Sequence, residues 1–140
     1  MPVKYPTKDE IFAEPISIDD TTIKVVNNWK KEFLKSWKDK PNMEKLIDLK
    51  VLLFAINMSQ SEPVNLKVEL GPAYCCVLKT KTIYFDPTKP SIISALHEYG
   101  HILYGSSELK ACRWSVILFK TCFPTLYEKL TWKGHLLVKQ

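Results

Sequence analysis

His97-Glu98-Tyr99-Gly100-His101 sets two of the chain's three histidines four residues apart, with a glutamate directly after the first. On a helix, at about 100° per residue, positions i and i+4 lie about 40° apart and one turn along the axis, so both imidazoles can reach one metal ion. Glu98 projects to the side of that pair, where it can meet a water on the metal without replacing a ligand. Zinc lowers the pKa of a bound water to roughly 7, and a neighbouring carboxylate can take the proton while the oxygen attacks a carbonyl. The chemistry implied is hydrolysis of a peptide or amide bond.

Two imidazoles leave a catalytic zinc one protein ligand short of the usual three. Glu108 follows His101 after Gly105 reverses the chain, and Ser106 or Ser107 can cap a new helix running to about residue 122. On that helix Glu108, Ala111, Cys112, Ser115, Phe119 and Cys122 share a face, and the small residues beside Glu108 allow close approach to the histidine helix. This favours Glu108 as a ligand; the plainer reading is a carboxylate complementing a positive helix terminus. Cys112, one turn on, is an alternative thiolate ligand, although a packed cysteine explains it more simply. His135 stands outside any clear helix, which suits a surface or cleft-lining role. The extended pattern H-E-x-x-H-x-x-G-x-x-H is excluded, because Tyr104 and Ser107 occupy the positions of its glycine and third histidine.

These side chains need a helix to carry them, and the local sequence supplies one over residues 90–104. Pro90 suits a first turn, Thr88 offers a cap and Gly105 a stop. Ile92, Ala95, Leu96, Tyr99, Ile102 and Leu103 form an apolar stripe, whereas Ile93, His97, Gly100, His101 and Tyr104 share the opposite side. Gly100 costs roughly 1 kcal/mol relative to Ala inside a helix, which implies that something approaches the backbone closely there.

The 140 residues, 46% of them hydrophobic, suffice for one domain with a single core. Prolines 2, 6 and 15 make residues 1–19 an extended arm. Ile23, Val26, Trp29, Phe33 and Trp37 recur at helical spacing over residues 20–38. Residues 43–59 are apolar on most sides and read as a helix buried behind the site. The period then falls to two: residues 64–70, 74–78 and 82–85 read as the strands of a small meander, with the third bordering the cleft. An exposed edge there could hold an extended peptide through main-chain hydrogen bonds, unless the arm covers it. Residues 124–140 form a short helix and an apolar tail, which either packs as core or lies in the cleft and restrains activity.

Charge and cysteine usage narrow the classes further. The net charge of +5 comes almost wholly from scattered lysines, with Arg113 the sole arginine, which argues against a nucleic-acid partner. The longest apolar run, residues 51–56, is too short to span a bilayer, and the start lacks the apolar core of a signal peptide, so the expected setting is cytoplasmic without a membrane partner. Cys75, Cys76, Cys112 and Cys122 have neither zinc-clip spacing nor the density of a disulfide scaffold. Nothing in the sequence sets an oligomeric state.

The run Ile83-Tyr84-Phe85-Asp86-Pro87, the H-E-x-x-H string and Glu108-Leu109-Lys110-Ala111-Cys112-Arg113-Trp114 together resemble the gluzincins, zinc peptidases whose third ligand is a glutamate on a separate helix. In size the chain is most similar to the minigluzincins, and the continuation with Phe123-Pro124 is also similar to repressor-cleaving peptidases of mobile elements. The resemblance covers roughly residues 83–124. It implies a compact α+β, zincin-like domain with a mostly antiparallel three-stranded sheet. It further implies His97, His101 and Glu108 as Zn2+ ligands and Glu98 as general base and acid. The spacer from His101 to Glu108 is shorter than in the larger gluzincins. For the group that stabilises the oxyanion, Arg113 lies about 140° around its helix from Glu108 and faces away, leaving Tyr127, His135 and Tyr104. The expected function is a zinc metalloendopeptidase acting on a peptide or protein substrate, restrained by a terminal segment. The alternatives are a latent or inactive zinc-binding regulatory protein, and a peptidase directed at a nucleic-acid-bound partner.

Overall fold

Small residues set the central helix pair. Helix α4 (Ile92–Tyr104) packs on helix α5 (Glu108–Cys122) where Gly100 meets Ala111, and a Cβ on Gly100 would lie 3.0 Å from both the Ala111 Cα and its carbonyl oxygen. The close approach expected from a glycine inside the histidine helix is this crossing. Ser91 caps α4 by accepting from the Ser94 N–H, and Gly105, at φ 71°, ends it. Thr88 is not the cap: its N–H and hydroxyl both donate to Asp86 Oδ1, at 2.9 and 2.7 Å, closing a turn one step earlier. Ser107 caps α5 through the Lys110 N–H.

The computed structural model describes residues 6–133 and 136–139. Ahead of the central pair come α1 (Lys8–Phe12), α2 (Asp20–Phe33), a 3-10 turn (Trp37–Asp39) and α3 (Asn42–Ser59). Three strands follow, β1 (Lys67–Leu70), β2 (Cys75–Val77) and β3 (Thr82–Phe85), and after α5 come α6 (Pro124–Glu128), β4 (Leu130–Lys133) and β5 (Leu136–Lys139). The α+β class is as expected. No helix among the described residues is long and apolar enough to cross a membrane.

The sheet is not a meander. Its order is β1-β3-β2, with β1 parallel and β2 antiparallel to β3. Ile83 and Phe85 are essentially fully buried, so the most apolar strand takes the centre, while the strands carrying Lys67, Glu69 and Cys75 tolerate an edge. The edge beside α4 is therefore β2, and not the third strand as its position before the helix suggested. Tyr74 pins this edge to the helix start, donating from its hydroxyl to the Lys89 carbonyl at 2.8 Å and accepting from the Ser91 N–H at 3.0 Å.

Within the N-terminal stretch read as an extended arm, α1 is a single helical turn. Thr7 and Glu10 form a reciprocal capping box that stabilises it, and Ile11 is fully buried. Arg113 holds this turn on α5: its Nε donates to the Ile11 carbonyl at 2.9 Å and a terminal nitrogen to the Glu10 carbonyl at 2.7 Å. The sole arginine is thus committed to the core. Leu46, Leu49, Leu52, Leu53 and Ile56 bury one side of α3, but Met43, Ile47, Val51 and Met58 face solvent, so this helix is not buried all round. The Asn57 side chain joins α3 to its neighbours, accepting from the Tyr99 hydroxyl at 3.1 Å and donating to the Val64 carbonyl at 2.8 Å. In the C-terminal segment β4 and β5 pair antiparallel, Trp132 meets the Phe12 ring edge-on, and Leu137 is buried in the core.

Candidate metal centre

Helix α4 presents His97 and His101 one turn apart, and the first residue of α5 brings Glu108 across to both. Glu108 Oε1 lies 2.8 Å from His101 Nε2, and Oε2 lies 3.3 Å from His97 Nε2. Donor atoms of His97, Glu98 and His101 also fall within 4.8 Å of one another. The group is sheltered but reachable, with His101 and Glu98 buried and the His97 and Glu108 side chains 20% and 26% exposed.

The tautomer of His101 follows from its second nitrogen. Nδ1 lies 2.7 Å from the Gly105 carbonyl, an oxygen that can only accept, so Nδ1 carries a proton. Contacts of this kind orient an imidazole for ligation, and sequence reading missed this one, although a glycine four residues after a histidine was a legible signal. With Nδ1 protonated, a neutral His101 would turn the Nε2 lone pair onto a carboxylate oxygen. That contact is repulsive unless a proton or a cation lies between the two atoms. Among the described residues Glu108 Oε2 has no hydrogen-bond partner, and it is shielded from solvent, a cost of about 1–3 kcal/mol or more if uncompensated. Donors around a tetrahedral ion with bonds of about 2.0–2.1 Å stand about 3.3 Å apart, close to the separations here. The side chains present therefore fit a divalent cation.

The other donor set within 4.8 Å is His97, Glu108 and Cys112, which shares only His97 with the set of His97, Glu98 and His101. Cys112 Sγ lies 3.5 Å from His97 Nδ1. Burial, with the charges of Glu108 and Glu98 behind it, pushes the Cys112 thiol up to about 12, so it stands beside His97 as a neutral thiol. On β2, burial and then the charge of Glu98 raise the half-buried Cys76 thiol to about 11.

Of the remaining sequence candidates, Tyr127 is not brought to this cluster. It lies on α6, beyond the C-terminal end of α5, with its ring 5.4 Å from Lys120 Nζ, whereas Glu108 begins that helix. Tyr104 closes α4 near Asp19, whose charge adds to the burial that raises the tyrosine. His135 lies outside the described residues. No protein-family model matches the chain, and neither does any curated protein or solved structure.

Two results are expected from this geometry. The first concerns Gly100→Ala, which normally gains about 1 kcal/mol of helix propensity. Here the new Cβ would press on Ala111 backbone, and overpacking of that kind costs about 1–3 kcal/mol. Thermal unfolding should drop by roughly 2–8 °C, and metal affinity should fall because α5 carries Glu108. Melting and metal titration at wild-type values would contradict the crossing described.

The second concerns Glu98 in the metal-free protein. Burial pushes its carboxyl up from 4.5 to about 7, opposed by His101 and assisted by Glu108. Between those values the folded state keeps a proton that the unfolded state has released, so stability is full below about 4.5 and falls as pH rises toward 7. The total is roughly 2–4 kcal/mol. Denaturant unfolding of metal-free wild type against Glu98→Gln should therefore diverge across that window, and parallel curves would contradict it.

Proposed function

We propose that this chain is a zinc-dependent metallopeptidase of gluzincin type. The observation that carries the reading is the Glu108 carboxylate standing between the Nε2 atoms of His97 and His101. Those three side chains would hold the ion. Bound there, zinc would supply a water of lowered pKa and a Lewis acid for the scissile carbonyl.

The chain's own residues account for the rest of the cycle. Glu98, whose carboxyl burial raises in the metal-free protein, can take a proton at its carboxylate and return it to the leaving amine. The Gly105 carbonyl keeps His101 in one orientation. The outer edge of β2 would offer main-chain groups to an extended peptide, and Tyr74 fixes that edge against the start of α4. The described contacts of the C-terminal hairpin, with Trp132 on Phe12 and Leu137 in the core, favour a structural role for it over a restraining one.

Casein digestion by zinc-loaded protein, with and without chelator, tests the proposal. Hydrolysis abolished by chelation and restored by zinc is expected. A protein that retains zinc yet cleaves no peptide would instead support the regulatory alternative.

A further inference from the structure

The strand β1 lies at the sheet edge opposite β2. Lys67 N–H donates to the Lys81 carbonyl at 3.0 Å and Gly71 N–H to the Phe85 carbonyl at 2.9 Å, both on the β3 side. Backbone groups alternate along a strand, so the N–H and C=O of Val68 and Leu70 point to the outer edge, together with the carbonyl of Leu66. The edge is apolar in character: Leu70 is 49% exposed, and Met43 and Ile47 of α3, 54% and 58% exposed, line one groove with Val68 and Leu70. Edges of this kind are templates for another strand.

The residue order identifies the strand that fits. Leu66-Lys67-Val68-Glu69-Leu70 is self-complementary when reversed about Val68. An antiparallel copy places Lys67 opposite Glu69 twice, Val68 opposite Val68, and Leu66 opposite Leu70. In that register the outward amides of Val68 and Leu70 meet outward carbonyls of Val68 and Leu66, and the charged pairs fall at the positions of closest side-chain approach. The geometry points to a symmetric dimer of this chain, built by β1 pairing with β1 of a second copy about a two-fold axis at Val68. Such short strands cover less than the roughly 1,000 Å² of a specific interface, so the proposed dimer also draws on the exposed Met43 and Ile47 of α3 beside the groove. The dimer leaves both β2 edges, and the metal centres next to them, at the outer ends of a continuous sheet. It does not depend on the peptidase reading.

Sedimentation of the full-length protein at concentrations up to about 100 µM tests this. Wild type should run at twice the chain mass. Lys67→Glu and Glu69→Lys each place like charges in both cross-strand pairs and should raise the dimer Kd about tenfold or more. An equimolar mixture of the two variants should regain the double mass, because every pair is again opposite in sign. Ile47→Lys, on the exposed side of α3, should dissociate the dimer without touching β1. Circular dichroism melts confirm that each variant is folded. Wild type at single-chain mass, reversal variants that stay dimeric, or a mixture that stays monomeric would each overturn the proposal.

Discussion

Glu98→Gln is expected to keep its metal and lose peptide hydrolysis, with kcat lower by about 10²–10⁴-fold. The substitution is nearly isosteric at a residue only 7% exposed, and a neutral amide suits that site better than a charge does. The fold should persist, and zinc should stay, because the ligand set proposed here does not include this side chain. What the amide cannot do is accept a proton and hand it on. Elemental analysis paired with a fluorogenic peptide assay separates the two properties. A variant that turns over peptide within a few-fold of wild type would remove Glu98 from the chemistry.

The second large effect is the loss of metal from Glu108→Ala. The change removes the anion that faces both imidazoles, including the buried Oε2 that has no hydrogen-bond partner among the described residues. Zinc affinity should fall by more than the ~10–100-fold typical of an outer contact. Cys112→Ser gives the comparison, since in the ligand set proposed here its sulfur is not a ligand and stands 3.5 Å from the second nitrogen of His97. Competitive titration against a chelator should rank the losses with Glu108→Ala well above Cys112→Ser. The reverse ranking would transfer the ion to the donor set containing the thiol.

The local structure of the candidate metal centre was the most legible part of the sequence because its signals are local. The spacing of His97 and His101, the stop at Gly105 and the cap at Ser107 each act within one helical turn. Even the approach of α5 was foreshadowed by Gly100, since a helix keeps such a glycine only where a Cβ has no room. The sheet order was not legible. Alternation marks strands but not partners, and the parallel pairing of β1 with β3 passes over the adjacent β2. That shifted the edge beside α4 from the third strand to the second.

Other differences have similarly physical origins. An apolar helix such as α3 does not declare which side will meet the core, so its solvent-facing Met43, Ile47 and Met58 emerged only from packing. The Thr7–Glu10 capping box was present in the sequence, but the prolines around it suggested extended chain. Thr88 resembled a cap until Asp86 claimed its N–H and hydroxyl. Tyr127 was placed near the site by residue type alone, and α6 carries it to the other end of α5.

Zinc K-edge X-ray absorption on zinc-loaded, dialysed protein addresses the ligand set itself. One tightly held zinc per chain is expected, with imidazole nitrogen and carboxylate oxygen at about 2.0–2.2 Å and no sulfur near 2.3 Å. A protein that releases all its zinc on dialysis, or a first shell containing sulfur, would contradict the assignment of His97, His101 and Glu108.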